Sequence, residues 1–365
     1  MILKNSFRFQ EFTDLGRINL TLETIFVKKI PFRTHYLLFL WSGLFNQNNT
    51  LMKIGIDAMG GDFAPKAIVE GIILASKEVP ANATIVLIGQ KNAIEEIFEN
   101  HGFKGSNIEI VEANEIIEMG EHPVRALQAK PNSSIGVGFR LLKTGEIDVF
   151  ASAGSTGAMM VGALFSIKTI EGVQRPPIAG FAPQIDGNLA VILDIGANAD
   201  VKPEMLAQFG VLGSIYAHAT MNIESPRVAL MNIGEEEEKG SLVVQQAYKL
   251  MKENKSINFI GNIEGKDFFK GKADVIVTDG FTGNILLKMG ESLYGIMKDR
   301  GIRDEFLDKT NYEAVGGSPI IGVNGNVIIA HGSSSALAAK NMVHLCIKVV
   351  ESKVTDKITE ALRVG

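Results

Sequence analysis

The sequence predicts an α/β fold with a parallel-rich sheet covered by helices on both faces. Three observations predict it. From residue 52 onward, short apolar runs alternate with stretches of helical spacing. One run, LAVILD at 189–194, is apolar throughout, as expected of a strand buried on both faces of a parallel sheet. Small, Gly-rich segments follow these runs, as tight strand-to-helix connections require.

The elements follow in order. Residues 53–57 read as a strand, and 64–78 (APKAIVEGIILASKE) as a helix with Pro65 in its first turn. A strand is expected at 84–89 (TIVLIG), a helix at 91–100, a strand at 108–111 and a helix at 132–144. A strand at 148–152 leads to a helix at 156–170. The Pro- and Gly-rich stretch 172–188 reads as a boundary between lobes or a cleft-lining loop. After LAVILD come a helix at 203–219, a strand at 227–231, a helix at 240–253 and a strand at 257–260. DVIVT at 274–278 is a strand, 283–299 a helix, 327–330 a strand and 333–351 a helix.

Composition bounds the function. The chain has 365 residues, which at roughly 150 per domain allows two domains or one large α/β unit. A charged fraction of 21% with 46% apolar residues excludes a disordered chain. The net charge of -5 argues against a nucleic-acid binder, which would present a basic face. The single cysteine, Cys346, forms no internal disulfide and points to a reducing, cytoplasmic setting. Residues 1–51 differ from the rest: they carry the only Trp, two of the 38 glycines and a net charge of +3. They read as an N-terminal extension, disordered or arising from an upstream start, with residues 52–365 forming the α/β domain as two lobes around a cleft. Their best apolar run, 36–45, is too short to span a bilayer.

In open α/β sheets ligands bind beyond the carboxyl ends of strands. Seven such ends carry small polar residues: DAMGGD at 57–62, SAGSTG at 152–157, GANADVK at 196–202, NIG at 232–234, GNIEGKD at 261–267, DGFTGN at 279–284 and HGSSS at 331–335. Backbone amides at helix starts, with Ser and Thr hydroxyls, make anion sites, so a phosphate or phosphate-bearing ligand is expected. No GxGxxG, P-loop, HExxH or GxSxG motif occurs, and Cys346 lies in an apolar helical run. The expected chemistry is transfer to or from a bound anion, with no cofactor, metal or protein nucleophile.

Taken together, MKIGIDAMGGD at 52–62, SAGSTGA at 152–158, LDIGAN at 193–198, NIGEE at 232–236, GNIEG at 261–265, DGFTGN at 279–284 and HGSS at 331–334 resemble one family. It is the bacterial phosphate acyltransferase family of phospholipid synthesis. The resemblance runs from Met52 nearly to the C-terminus. It implies a three-layer α/β/α fold like the isocitrate and isopropylmalate dehydrogenases, related to phosphate acetyltransferase. It implies transfer of a fatty acyl group from acyl-[acyl carrier protein] to inorganic phosphate, a homodimer, and peripheral contact with the inner face of the cell membrane. Two features depart from the family pattern: Ser155 stands where Asn is usual, and the stretch 288–311 is short.

The reaction needs phosphate held beside a thioester carbonyl, so positioning and oxyanion stabilisation dominate. Lys202, Thr156 and the turn Gly154, Ser155 and Gly157 are candidates for phosphate, with Gly60, Gly61, Asp62, Thr282 and Gly283. Asn198, Asn232 and Asn284 are candidates to orient phosphate or the oxyanion, and His331 to donate to phosphate or the departing sulfur. Asp57 and Asp279 are candidates to orient Lys202 or a general acid, with capping of the following turns the favoured alternative. An acidic carrier protein calls for a basic docking patch, with Lys288, Lys298, Arg300, Arg303 and Lys309 as candidates. A phosphotransacetylase using acyl-CoA, a dehydrogenase and a non-enzymatic membrane scaffold are the alternatives.

Overall fold

The computed structural model describes residues 51–364, so the expectations for residues 1–50 lie outside the described residues. The first half runs β1 (Met52–Asp57), α1 (Lys66–Ala75), β2 (Ala83–Gly89), α2 (Lys91–Asn100), β3 (Ile108–Glu112), α3 (Pro123–Ala129), α4 (Ser134–Thr144), β4 (Val149–Ser152) and α5 (Thr156–Gly162). Then come β5 (Ala179–Pro183), β6 (Leu189–Leu193), α6 (Pro203–Met221), β7 (Arg227–Asn232), α7 (Leu242–Glu253), β8 (Asn258–Glu264) and β9 (Val275–Val277). The chain continues through α8 (Gly280–Asp299), α9 (Glu305–Lys309), α10 (Tyr312–Val315), β10 (Ser318–Ile320), β11 (Asn326–Ile329), α11 (Ala336–Ser352) and α12 (Val354–Val364).

The strands form two sheets, ordered β10-β11-β4-β1-β2-β3 and β5-β6-β9-β7-β8. Within each, one edge strand is antiparallel, β10 against β11 and β5 against β6, and the rest are parallel. The two antiparallel edges meet: Ile178, just before β5, bridges to Ile320 of β10, and the Ile321 amide donates to the Pro177 carbonyl at 2.9 Å. Parallel strands covered on both faces need apolar residues at every position, and β2 meets that need. Its Ile85 and Leu87 enter a core shared with α1 and α11, while Val86 and Ile88 enter the opposite core with Phe139 and Phe150.

Several segments differ from expectation, among them helices α9, α10 and α12, which fall where no element was expected. The stretch 172–188 is not all loop: it contains β5, whose Gly and Pro content suits an edge strand that lacks a neighbour on one side. The strand expected at 257–260 runs on to Glu264, because Gly261 takes a φ of +96° at a register shift and pairing with β7 resumes beyond it. GNIEG is therefore mostly strand rather than turn. The helix at 156–170 is α-helical only to Gly162 and widens into a π turn, Ala163–Ile167. Helix α3 and strand β10 were not expected; α3 starts at Pro123, whose fixed φ suits a first helical position.

Helix α11 carries HGSSS to the end of its sheet, and its neighbour α1 fixes where it lies. Gly71 of α1 makes this approach possible: a Cβ there would sit 2.5 Å from the Ala336 carbonyl oxygen. Gly71→Ala is expected to lower stability by about 1–3 kcal/mol through overpacking, read from the midpoint of urea denaturation.

Candidate active site

Two buried carboxylates hold the strand-end turns in place. Asp57 closes β1 and is 1% exposed. It accepts from the Ser152 hydroxyl at 2.6 Å and from the Met59 amide at 2.9 Å. Burial raises its pKa, opposed by bonds from Ser134, Ser152, Met59 and Gly60. Ser152 Oγ in turn accepts from the Gly154 amide at 2.9 Å, so the turns after β1 and β4 are tied together. Only glycine fits at position 60, where a Cβ would lie 2.5 Å from Asp57 Oδ2 and 2.6 Å from the Gly154 nitrogen. Gly61 takes a φ of +109°, which other residues adopt only with strain.

Asp194 plays the matching part after β6. It is fully buried and accepts from the amides of Ile178 at 2.9 Å, Ala197 at 3.2 Å and Asn198 at 2.6 Å. The Asn198 side chain donates to the same carboxylate at 3.0 Å and to the Pro176 carbonyl at 3.2 Å. The start of α8 packs directly on this turn, because a Cβ at Gly283 would overlap the Asp194 carbonyl oxygen.

Between these turns lies a cleft of about 470 Å³. One part of its wall is polar, with Asp62, Thr156, Asn284, Lys288, His331, Ser333 and Ser334. Another is apolar, with Ile178, Phe181, Ile195, Leu287, Val315 and Ile329. Asn284 and Lys288 are four residues apart on α8, so both face the cleft. Lys288 Nζ lies 2.7 Å from Glu291 and 3.1 Å from His331 Nε2. The Lys288 ammonium can only donate, so Nε2 is the acceptor in that contact, while Nδ1 lies 2.8 Å from the Ser333 hydroxyl and 3.2 Å from the Ser333 amide. Burial and the Lys288 charge hold the His331 pKa below its ordinary value, so the ring is neutral at pH 7. The ammonium and the imidazole thus meet at one point, next to the start of α11. That arrangement suits an anion.

The expected residues divide accordingly. Asp62, Thr156, Asn284 and His331 line the cleft. Lys202 stands exposed at the start of α6 and is not among the lining residues. Asn232 serves its own turn, donating to the Lys239 carbonyl at 3.1 Å and accepting from the Ile233 amide at 2.8 Å. Asp279 caps α8, accepting from the Thr282 amide and hydroxyl, both at 2.8 Å. Ser155 caps α5 through the Ala158 amide at 3.3 Å, and Gly157 lets α5 approach Pro123. Asp57, Asn198, Gly60, Gly154 and Gly283 build the frame described above. Lys288, expected at a docking surface, faces the cleft instead. Its spacing of four from Asn284 was the available signal. Cys346 is buried in α11, and burial pushes its thiol pKa up.

The fold is an α/β fold shared with solved phosphotransacetylases. A phosphotransacetylase from Streptococcus pyogenes matches with a TM-score of 0.59 at 19% identity, covering 90% of this chain and all of the other. The EutD phosphotransacetylase from Staphylococcus aureus matches with a TM-score of 0.58 at 20% identity, covering 87% and 98%. A family model described as "Fatty acid synthesis protein" matches residues 52–357, and the chain belongs to that family. Relatives named phosphate acyltransferase include those of Dictyoglomus thermophilum, 44% identical over 85% of this chain and 98% of the relative, and Pelotomaculum thermopropionicum, 44% identical over 85% and 95%. The chain is an acyltransferase.

The His331 ring is expected to titrate below 6.5 by NMR. Lys288→Met removes a cation that lowers this pKa, so the midpoint should move up; a midpoint that stays or falls would contradict the pairing.

Proposed function

We propose that the protein transfers a fatty acyl group from acyl-[acyl carrier protein] to inorganic phosphate, giving acyl phosphate for phospholipid synthesis. The observation that carries this reading is the Lys288–His331 pair on a polar wall that faces an apolar one across the cleft. Lys288 and His331 bind the phosphate, with Thr156 and Asn284 orienting it. A phosphate oxygen attacks the thioester carbon, forming a C–O bond and a tetrahedral oxyanion. The oxyanion collapses, the C–S bond breaks and the pantetheine thiolate leaves. A thiolate leaves readily, so holding two reactants together supplies most of the acceleration.

The partners follow from the same reading. The exposed cations Lys298, Arg300 and Arg303, at and after the end of α8, offer a face to an acidic carrier protein. Helix α8 also exposes Phe281, Ile285, Met289 and Leu293, four residues apart, as one apolar stripe. The stripe suits a homodimer contact or shallow seating on the inner membrane face. No helix among the described residues is long and apolar enough to cross a membrane.

Phosphate-dependent release of free carrier thiol, with acyl phosphate trapped by hydroxylamine, tests the reaction. Lys288→Met is expected to lower turnover by ~10²–10³-fold, the range for losing one preorganised charge-stabilising donor. Lys202→Ala is expected to cost much less; the reverse order would move the phosphate to the start of α6.

A further inference from the structure

A second cavity, of about 370 Å³, lies beside the cleft. The two share Phe181, Lys309 and Val315 in their walls, so these three residues form the neck where the cavities adjoin. Beyond the neck the wall is built from Leu189 of β6, Tyr216 of α6 and Leu345 of α11. Tyr216 and Leu345 are buried, and the Phe181 ring packs against Tyr216 at 6.1 Å between centroids. The Asn341 amide, also in this wall, is already committed to the Glu313 carbonyl at 2.7 Å. The exposed Lys348 stands at the outer side.

An acyl thioester has one polar reacting end and a long apolar tail. Taking each methylene out of water is favourable, so a fatty chain needs a continuous apolar path away from the phosphate. The path from the Lys288–His331 pair runs along Ile178 and Val315, past Phe181 and into the second cavity. We infer that this cavity seats the distal part of the donor's acyl chain and that Phe181 and Leu189 set the chain length accepted. The inference rests on the acyl-transfer reading. A pantetheine arm fits less well there, since its amides need hydrogen-bond partners and the wall is mostly apolar.

Phe181→Trp narrows the neck, and Leu189→Trp fills the space beyond it. Both are compared with the unchanged protein in the phosphate-dependent assay, using hexanoyl- and palmitoyl-[acyl carrier protein]. Shortening an apolar pocket by one methylene costs ~10–200-fold, so the palmitoyl-to-hexanoyl ratio of kcat/KM should fall at least ~tenfold in each variant. An unchanged ratio in folded variants overturns the inference. So does an equal loss for both chains, which would assign the cavity to the arm common to the two donors. Equilibrium binding of palmitate gives a readout independent of turnover: weaker binding in both variants supports the chain seat, and unchanged binding overturns it. Absence of phosphate-dependent turnover in the unchanged protein would instead count against the acyl-transfer reading. Val315→Phe narrows the same neck from α10 should Phe181→Trp fail to fold by circular dichroism.

Discussion

Two carboxylates that form no salt bridge among the described residues, Asp57 and Asp194, organise everything that faces the cleft. Each sits where a central strand ends and the chain must turn. A buried carboxylate is costly unless its oxygens are satisfied, and here backbone amides and short side chains satisfy them. The cost therefore enforces one turn geometry. Around Asp57 the same requirement draws in Ser152, Gly60 and Gly154 from two strand ends. Around Asp194 it draws in Ile178, Asn198 and the start of α8. The cleft residues ride on these frames: Asp62 and Thr156 on one, Ile195, Asn284 and Lys288 on the other.

This division of labour explains which parts of the site were legible in the sequence. The strands of the parallel cores were, because burial on both faces leaves an unbroken apolar signature, as in 84–89 and 189–194. Strand β5 was not, because an edge strand tolerates Gly and Pro and so reads as loop. The motif residues were easy to find and hard to rank. A small polar residue after a strand looks the same whether it holds the turn, as Asn198 and Asp279 do, or faces the cleft, as Asn284 does. Only the packing of α8 against the Asp194 turn separates these cases. The same packing turns Lys288 inward and sets it against His331, which lies 43 residues further along the chain.

Charge placement carries a related lesson. The described α/β unit is acidic overall, yet its cleft must attract an anion. Local geometry outweighs net charge at this range, because a cation at contact distance acts through a less polar medium than distant surface carboxylates do. Glu291 beside Lys288 tempers that charge and fixes its direction. The result is an ammonium held in place before any ligand arrives, which spares the ordering cost of a free lysine.

The buried thiol of Cys346 also bears on the chemistry, although it takes no part in it. The residue before it, Leu345, lines the second cavity. A thiolate exposed at that wall would exchange with an incoming thioester and leave the enzyme acylated on sulfur. Enclosure in α11 keeps Cys346 protonated and out of reach. Phosphate then meets no competing thiolate from Cys346, and the acyl group leaves as a product rather than as a lesion.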